Sequence, residues 1–440
     1  MPALAVPILF LHVNYQPKVT FGLSSTSVGI ELSDLAVLTV VVAGAFAGLR
    51  NGWEPLRAGR WLWLTGGAFL ALVVVATLHP LLWQDHYRFL KHLVTAAKFA
   101  EYGCLAPAIA LLLRAPRAAL PLLWAVTLWS AAATGWGILQ FAGLVNELEG
   151  RRPLQREPSF LGIHDFAGLS GAALALALAV LVLRPSSRSD RVLAWAAGSA
   201  GAIGLVLTSA AAGAIGVALA GAAVLSLAAA RRDLDAVRGV AVVALVGTAA
   251  LGVFLMRSGD VPRAIRAVGI GSEPIPRTGA DVESYAHRSL LAYIGVRIFA
   301  AHPLVGVGWQ GSEELANYGP YLADAHRRYP QEPPLAFPAP EHAWGVQNAY
   351  LQTLTDLGLV GFALLVGLVI VAVRIGGRAA LHAPPGTVMP TFAGLLWVLM
   401  AAGVWNGLGL VAGIPLDALT WLGIGLIGAA AAWRADAAAR

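Results

Sequence analysis

The sequence has very little charge and almost no cysteine. Only 12% of its 440 residues are charged, whereas 58% are hydrophobic. A soluble domain of this length needs much more polar surface to face water. The single cysteine, Cys104, excludes an intramolecular disulfide and a cysteine metal cluster. The shortage of charge favours a chain whose apolar side chains face lipid.

The basic excess is small and dispersed. The formal net charge is +6, and the lysines and arginines occupy many short connections. Proteins that bind nucleic acid usually gather such residues on one face of a domain. We therefore expect membrane lipids as partners and no nucleic acid.

Apolar runs near the length that crosses roughly 30 Å of hydrocarbon recur along the chain. None shows the alternation typical of a strand, so the predicted fold class is an all-α polytopic membrane protein with about 12 transmembrane helices. The predicted spans are residues 1–13, 33–49, 61–78, 93–113, 118–143, 160–183, 190–208, 212–230, 239–256, 350–373, 388–408 and 416–433. The predicted domains are a bundle of about nine spans (1–256), a large loop (257–349) and about three C-terminal spans (350–440).

The arginines indicate a topology, because short cytoplasmic loops are enriched in Lys and Arg. Alternate connections carry Arg50, Arg57 and Arg60, then Arg114 and Arg117, then Arg184, Arg188 and Arg191, then Arg231, Arg232 and Arg238, then Arg374 and Arg378. These connections are predicted to be cytoplasmic, together with both termini. Residues 146–159 and 257–349 are then on the outer side.

The loop at 257–349 is far longer than a helical bundle requires, and such loops usually carry function. Within it, the sequence predicts a helix from Asp281 to Ala301, which ends before Pro303. A second short helix is predicted to begin at Ser312.

Several motifs lie in order along this loop. His287-Arg288-Ser289-Leu290-Leu291-Ala292-Tyr293 leads to His302-Pro303-Leu304-Val305-Gly306-Val307-Gly308, and Gln347-Asn348-Ala349-Tyr350-Leu351-Gln352 leads to Leu357-Gly358-Leu359-Val360-Gly361. Together with Glu157-Pro158-Ser159-Phe160, this order resembles the O-antigen ligase and O-antigen polymerase superfamily of polysaccharide-assembly enzymes. The resemblance implies a GT-C-like glycosyltransferase of the bacterial inner membrane with a large periplasmic loop.

The resemblance also implies a reaction. Such an enzyme moves a glycan from undecaprenyl diphosphate onto an acceptor glycan or glycolipid, such as lipid A core, on the periplasmic side and without a metal or other cofactor. A polymerase of the same superfamily is one alternative. A lipid or solute transporter is another, although the sequence shows no clear internal repeat of the kind typical of transporters. A degenerate member that acts as an assembly scaffold is a third.

Arg288 matches the arginine of the family motif and is the predicted catalytic cation. A guanidinium suits a diphosphate leaving group because its planar fork binds phosphate in two places and stays charged. Arg297 lies nine residues further along the predicted helix, about half a turn away from Arg288 in direction. Arg297 is therefore predicted to be structural.

Two positions depart from the family pattern. Gln347 stands where the family usually has histidine, and glutamine cannot accept a proton as a base. His342 is the predicted replacement, with Glu341 as the other nearby candidate. Ala210 stands where the family often has arginine, so Arg257, or the cluster of Arg151, Arg152 and Arg156, is predicted to bind the substrate. The predicted substrate-binding residues also include Gln347, Asn348 and Tyr350.

Overall fold

The protein is a bundle of long helices in a computed structural model. The structure describes residues 2–23, 26–84, 87–146, 148–150, 153–183, 188–233, 235–257, 284–384, 386–410 and 414–439. The α-helices are α1 (Pro2–Leu9), α2 (Leu32–Asn51), α3 (Glu54–Ala58), α4 (Arg60–Leu78), α5 (Phe89–Gly103), α6 (Leu105–Leu112), α7 (Leu120–Phe141), α8 (Ile163–Val182), α9 (Arg188–Thr208), α10 (Ala211–Ala230), α11 (Ala236–Met256), α12 (Ser284–Ala301), α13 (Leu315–Arg328), α14 (Ala349–Leu381), α15 (Val388–Val398) and α16 (Ile414–Ala439). A π-helix (Leu399–Val404) and a short α-helix (Trp405–Gly407) continue α15. Short 3-10 helices cover Val13–Tyr15, His79–Leu82, Pro116–Ala119, Gly311–Glu313 and Pro334–Ala336.

Ten helical segments in the described ranges are long and apolar enough to cross a membrane. They are Leu32–Asn51, Arg60–Leu82, Pro116–Phe141, Ile163–Val182, Arg188–Thr208, Ala211–Ala230, Ala236–Met256, Ala349–Leu381, Val388–Gly407 and Leu416–Ala435. Helices are suited to lipid because each satisfies its own backbone hydrogen bonds. The prediction of an all-α polytopic membrane protein is confirmed.

Two of the twelve predicted spans are not among these ten. The segment 1–13 contains α1, whose 8 residues extend about 12 Å at 1.5 Å per residue. The segment 93–113 is divided between α5 and α6, which meet at Cys104. Lys98 on α5 also pairs with Asp34 on α2, where Nζ and Oδ2 are 2.7 Å apart. The first segment is therefore too short to be a span. The second is interrupted by a helix break and carries charged groups, which explains the difference from the prediction.

A β-hairpin precedes α2, outside the long apolar runs for which the sequence predicted no strand-like alternation. Strands β1 (Lys18–Leu23) and β2 (Thr26–Glu31) pair antiparallel. Val19 lies opposite Ile30, and Phe21 lies opposite Val28. Because side chains alternate between the faces of a strand, these apolar residues share one face. An alternation of six residues is short beside the long apolar runs that surround it.

The centre of the bundle is built from small residues. In α8, 89% of an 18-residue apolar stretch is buried, and for the corresponding stretch of α16 the share is 94%. A Cβ added at Gly201 on α9 would lie 2.6 Å from the carbonyl oxygen of Ser170 on α8. Such close approach of two backbones is typical of membrane helices with glycine and alanine at their interface. The packing makes α8 a rigid support for the residues at its first turn.

The loop segment from His302 to Gly308 is fixed to a break in α14. At Gly358 the backbone leaves the helical conformation, with φ +64°. The freed N–H groups of Leu359 and Val360 donate to the carbonyls of Pro303 and Leu304, at 2.8 and 3.2 Å. In return, the N–H groups of Val307 and Gly308 donate to the carbonyls of Thr355 and Asp356, at 3.1 and 2.9 Å. The loop and the broken helix thus satisfy each other's backbone groups.

Two glycines make this contact possible. A Cβ at Gly358 would overlap the carbonyl of Leu304, and a Cβ at Gly306 would overlap the backbone of Asp356. Both glycines have positive φ, +64° and +68°, a region that other residues rarely adopt. These glycines of the sequence motifs therefore have a structural role, which is to attach the loop to the bundle.

The two helices of the loop form a small apolar core of their own. Leu290, Leu291 and Ile294 of α12 are buried with Tyr318 of α13. The predicted helix 281–301 is observed as Ser284–Ala301, and Asp281 lies outside the described residues. Through this core, α13 supports α12 and the position of Arg288.

Candidate active site

A polar cavity of about 130 Å³ lies where α9 ends and α10 begins. Three of its lining residues are arginines that the sequence singled out, namely Arg156, Arg257 and Arg288. The rest of the lining is Glu149, Ile163, His164, Ala210, Ala211 and Ala212. Three arginines against one glutamate give the wall an excess of positive charge.

Two helix N-termini meet this cavity. Helix α10 begins at Ala211 after Ala210, and α8 begins at Ile163 after Gly162. Neither N-cap residue caps its helix with a side-chain hydrogen bond. The first N–H groups of a helix have no partner within it and carry partial positive charge, which favours anions. The backbone therefore adds to the positive character that the arginines give.

Arg156 is held against the end of α9. Its Nε donates to the carbonyl oxygen of Thr208 at 2.9 Å, and the N–H of Glu157 donates to Leu207 at 2.9 Å. The next residues are fixed to α7, because Ser159 Oγ donates to the carbonyl of Ala133 at 2.7 Å. The Glu157–Phe160 motif thus lies in sequence between the lining residues Arg156 and Ile163 and is fixed to α7 and α9.

Arg257 approaches from the opposite end of the same turn. It is the C-cap of α11, and one Nη donates to the carbonyl of Ser209 at 3.3 Å. Arg156 and Arg257 therefore flank the turn that contains Ala210. Both were predicted to supply the charge missing at that position. The structure places them there, and their role in binding stays a prediction.

Arg288 reaches the cavity from α12. Its Nε donates to Gln347 Oε1 at 3.2 Å. Gln347 thus has an assignable role that needs no proton transfer, since its amide orients the guanidinium.

The other predicted site residues have different surroundings. Asn348 is the N-cap of α14, where its Oδ1 accepts from the N–H of Leu351 at 2.9 Å. The hydroxyl of Tyr350 donates to the carbonyl of Ala401 at 2.5 Å, inside the bundle. Both side chains are used in packing and capping. Arg151 and Arg152 lie outside the described residues.

His342 lies outside the set of residues that line the cavity. It forms a tight bridge with Ala339, and its ring meets Trp344 at a centroid distance of 6.0 Å. Its Nε2 is buried without a hydrogen-bond partner. The structure therefore offers a different histidine at the cavity.

Arg297 is separated from Arg288, as helical periodicity predicts. It approaches Asp324, with 3.8 Å between Nη2 and Oδ2, and lies 5.9 Å from the ring centre of Tyr321. These contacts join α12 to α13. Arg297 is consequently a useful control for Arg288.

Glu149 and His164 are the ionisable lining residues that sequence reasoning missed. Glu149 has φ +55°, an unusual conformation for a residue other than glycine. His164 is the second residue of α8 and is exposed. A polar histidine at the start of an otherwise apolar span, just after the Glu157–Phe160 motif, was the available signal.

Ten apolar helical segments and an arginine-lined cavity at the helix ends define a class of protein, a polytopic membrane protein with a polar site. Residues 195–366 match the family model described as O-antigen ligase. The segment contains Ala210, Arg257, Arg288 and Gln347, whereas Glu149, Arg156 and His164 precede it. No curated protein matches the chain. The predicted resemblance to the O-antigen ligase and polymerase superfamily is confirmed.

Proposed function

We propose that the protein transfers a glycan from undecaprenyl diphosphate onto an acceptor sugar, in the manner of an O-antigen ligase. The observation that carries the proposal is the convergence of Arg156, Arg257 and Arg288 with two helix N-termini on one cavity. The family match supports the same reaction, because it covers two of these arginines.

In the proposed reaction, a hydroxyl oxygen of the acceptor attacks the anomeric carbon of the donor sugar. The bond from that carbon to the phosphate oxygen breaks, and the diphosphate leaves with the electron pair. Negative charge grows on the diphosphate as this bond breaks. Arginines fixed in advance stabilise that charge in the transition state more than in the ground state, which is the requirement for catalysis.

The proposed reaction uses no metal, since the arginines neutralise the leaving group. The direct test is purified protein in lipid nanodiscs with a synthetic undecaprenyl diphosphate glycan and either lipid A core or a second carrier-linked glycan as acceptor. Transfer to lipid A core, unchanged by EDTA, is the expected result. Transfer to the carrier-linked glycan alone would assign a polymerase, and absence of transfer to both would contradict the proposal.

We also propose that the cavity faces the periplasm and that the C-terminus is cytoplasmic, because the arginine-rich short connections lie at the other helix ends. Ala323 in α13 and Ala58 in α3 are both exposed and provide matched labelling sites. In a Cys104→Ala background, an impermeant maleimide should label Ala323→Cys but not Ala58→Cys in cells with a permeabilised outer membrane. The reverse pattern would overturn the orientation.

A further inference from the structure

Glycan transfer releases a proton from the acceptor hydroxyl, and this proton needs an acceptor near the diphosphate. Gln347 cannot take it, because an amide is not a base at neutral pH. The structure also assigns Gln347 to Arg288, through the hydrogen bond from Nε to Oε1. The proton acceptor must therefore come from another part of the cavity wall.

His164 is a histidine in that wall. It belongs to the first turn of α8, whose apolar span is mostly buried, and shares the lining with Arg156, Arg257 and Arg288. Glu149 completes the ionisable lining. A substrate whose diphosphate contacts the arginines would thus place its reacting end in the same small space as the imidazole.

The histidines of the loop are less suited to this task. His342 has its Nε2 buried away from the cavity. His287 also has a buried Nε2, and burial, with the adjacent Arg288 charge, lowers the pKa of His287 to about 4. A base that weak is poorly matched to proton transfer near neutral pH.

We infer that His164 is the general base that accepts the proton of the attacking hydroxyl. This inference rests on the proposed function. As the hydroxyl oxygen bonds to the anomeric carbon, its proton passes to an imidazole nitrogen, and the diphosphate leaves with the electrons of the broken bond. The leaving diphosphate and the Glu149 carboxylate bring negative charge to the imidazolium that forms.

The test is His164→Gln, which keeps hydrogen-bonding capacity but removes the base. We expect kcat to fall about a hundredfold or more, with the KM for the carrier changed by no more than about threefold. The fall of the wild-type rate at acid pH should disappear in the variant. His326→Gln is the matched control, because His326 stacks on Phe337 in the loop and should leave kcat and the pH profile unchanged.

Further outcomes distinguish His164 from the other candidate bases. The inference would be overturned if the wild-type protein transfers glycan and His164→Gln keeps both its kcat and the fall of the rate at acid pH (the acid limb). The proposed function would then still stand. Loss of the acid limb in Glu149→Gln or His342→Gln, but not in His164→Gln, would move the role to that residue. If the wild-type protein transfers no glycan, the proposed function fails and the inference fails with it. Carrier binding by each variant, measured separately, shows that the fold is intact.

A second inference concerns the hairpin of β1 and β2, and it does not depend on the reaction. Val19, Phe21 and Ile30 on its apolar face are 58%, 53% and 44% exposed. Strand β2 ends at Glu31, and the membrane-spanning α2 begins at Leu32 without a linker. Leu35, Leu38 and Val42 of α2 are also exposed, so the exposed apolar residues of the hairpin directly precede those of a helix long enough to span the membrane.

The geometry points to insertion of this face into the headgroup and acyl-chain boundary of the bilayer. Apolar side chains on one face and polar groups on the other are the pattern of interfacial elements. Here Lys18 and Thr20 alternate with Val19 and Phe21 along β1.

Nitroxide labels provide the test, in a Cys104→Ala background and lipid nanodiscs. At Phe21→Cys the label should be more accessible to oxygen, which concentrates in lipid, than to a water-soluble nickel complex. At Thr20→Cys the order should be reversed. Equal access of the nickel complex to both positions would overturn the inference, as would protection of position 21 from both reagents, which would indicate a protein partner.

Discussion

Two clusters of basic side chains lie at different places in this protein. The anchor cluster joins α5 to the loop, and its basic residues Arg88, Lys91 and His92 are paired with Glu313 and Glu314 at 2.9, 3.0 and 2.6 Å. In the cavity, the contacts that orient Arg156, Arg257 and Arg288 include two backbone carbonyls and the amide of Gln347. The anchor cluster lies between two elements of the fold, whereas the three arginines line a cavity.

The comparison separates the residues that hold the loop in place from the residues that line the cavity. The anchor cluster and the contact at Gly358 fix the loop, while the cavity lining contains three arginines and one glutamate. Burial raises the pKa of Glu314, but hydrogen bonds from His92 and Arg88 outweigh burial and bring the pKa below its usual value. Glu314 is therefore held in its charged form for the anchor.

The largest expected effect is in the cavity. Arg288→Ala should reduce the rate of transfer by roughly a hundredfold to a thousandfold, because a charge-assisted contact that strengthens in the transition state contributes about 3 to 4 kcal/mol. Arg288→Lys should recover part of the rate, since it keeps the charge but not the planar fork. Arg297→Ala removes an equal charge from the same helix and should have little effect. Similar rates for the two alanine variants would contradict a special role for Arg288.

The next effect is on stability, in the anchor cluster. Glu314→Gln leaves Arg88 and His92 without their carboxylate and should lower the stability of the docked loop by about 2 kcal/mol. Limited proteolysis of the loop and thermal unfolding in nanodiscs measure this change. Carrier affinity at low temperature should change much less than in Arg288→Ala. A variant with full stability and no carrier binding would show that the two clusters are not separate.

Substitutions of Gln347 test the comparison, because they change the contact that orients Arg288. Gln347→Ala removes a single orienting hydrogen bond and should lower the transfer rate by about tenfold. Gln347→Glu places a carboxylate beside Arg288 and should weaken carrier binding more than alanine does. Equal binding by the two variants would mean that negative charge added beside Arg288 does not affect carrier binding. Titration with salt should separate them further, because screening acts on charge.

The last of these predictions concerns pH. Unfolded His287 takes a proton near pH 6.5, whereas burial and the neighbouring Arg288 lower the pKa of folded His287 to about 4. Between these values the unfolded state binds more protons, so the stability of α12 should decrease as pH falls from 6.5 toward 4. Hydrogen exchange of α12 at pH 7 and pH 5, corrected for the intrinsic rate, measures it. In His287→Gln the pH dependence should be reduced.

The sequence predicted the helical membrane fold because apolar length is a local property of the chain. It also predicted that Arg257, or the cluster that includes Arg156, supplies the positive charge that is absent at Ala210. Only a basic residue can do so, and this restricted the candidates. It missed the hairpin, whose alternation is short, and the break between α5 and α6. His164 and Glu149 were missed because they reach the cavity through the loop 148–162 and α8, far in sequence from α12. The glycines of the loop motifs were interpreted only through the family resemblance. Their packing role depends on the contact with α14, which the sequence does not reveal.

The central claim is that the arginine cavity binds the diphosphate of the carrier. Its most direct test is the affinity of undecaprenyl diphosphate for the wild-type protein, Arg288→Gln and Arg297→Gln in nanodiscs of neutral lipid, measured at low and high salt. The account predicts that Arg288→Gln binds at least about tenfold more weakly, corresponding to a loss of about 1.4 kcal/mol or more, and depends less on salt, while Arg297→Gln binds like the wild type. Equal affinity and equal salt dependence in all three proteins would contradict it.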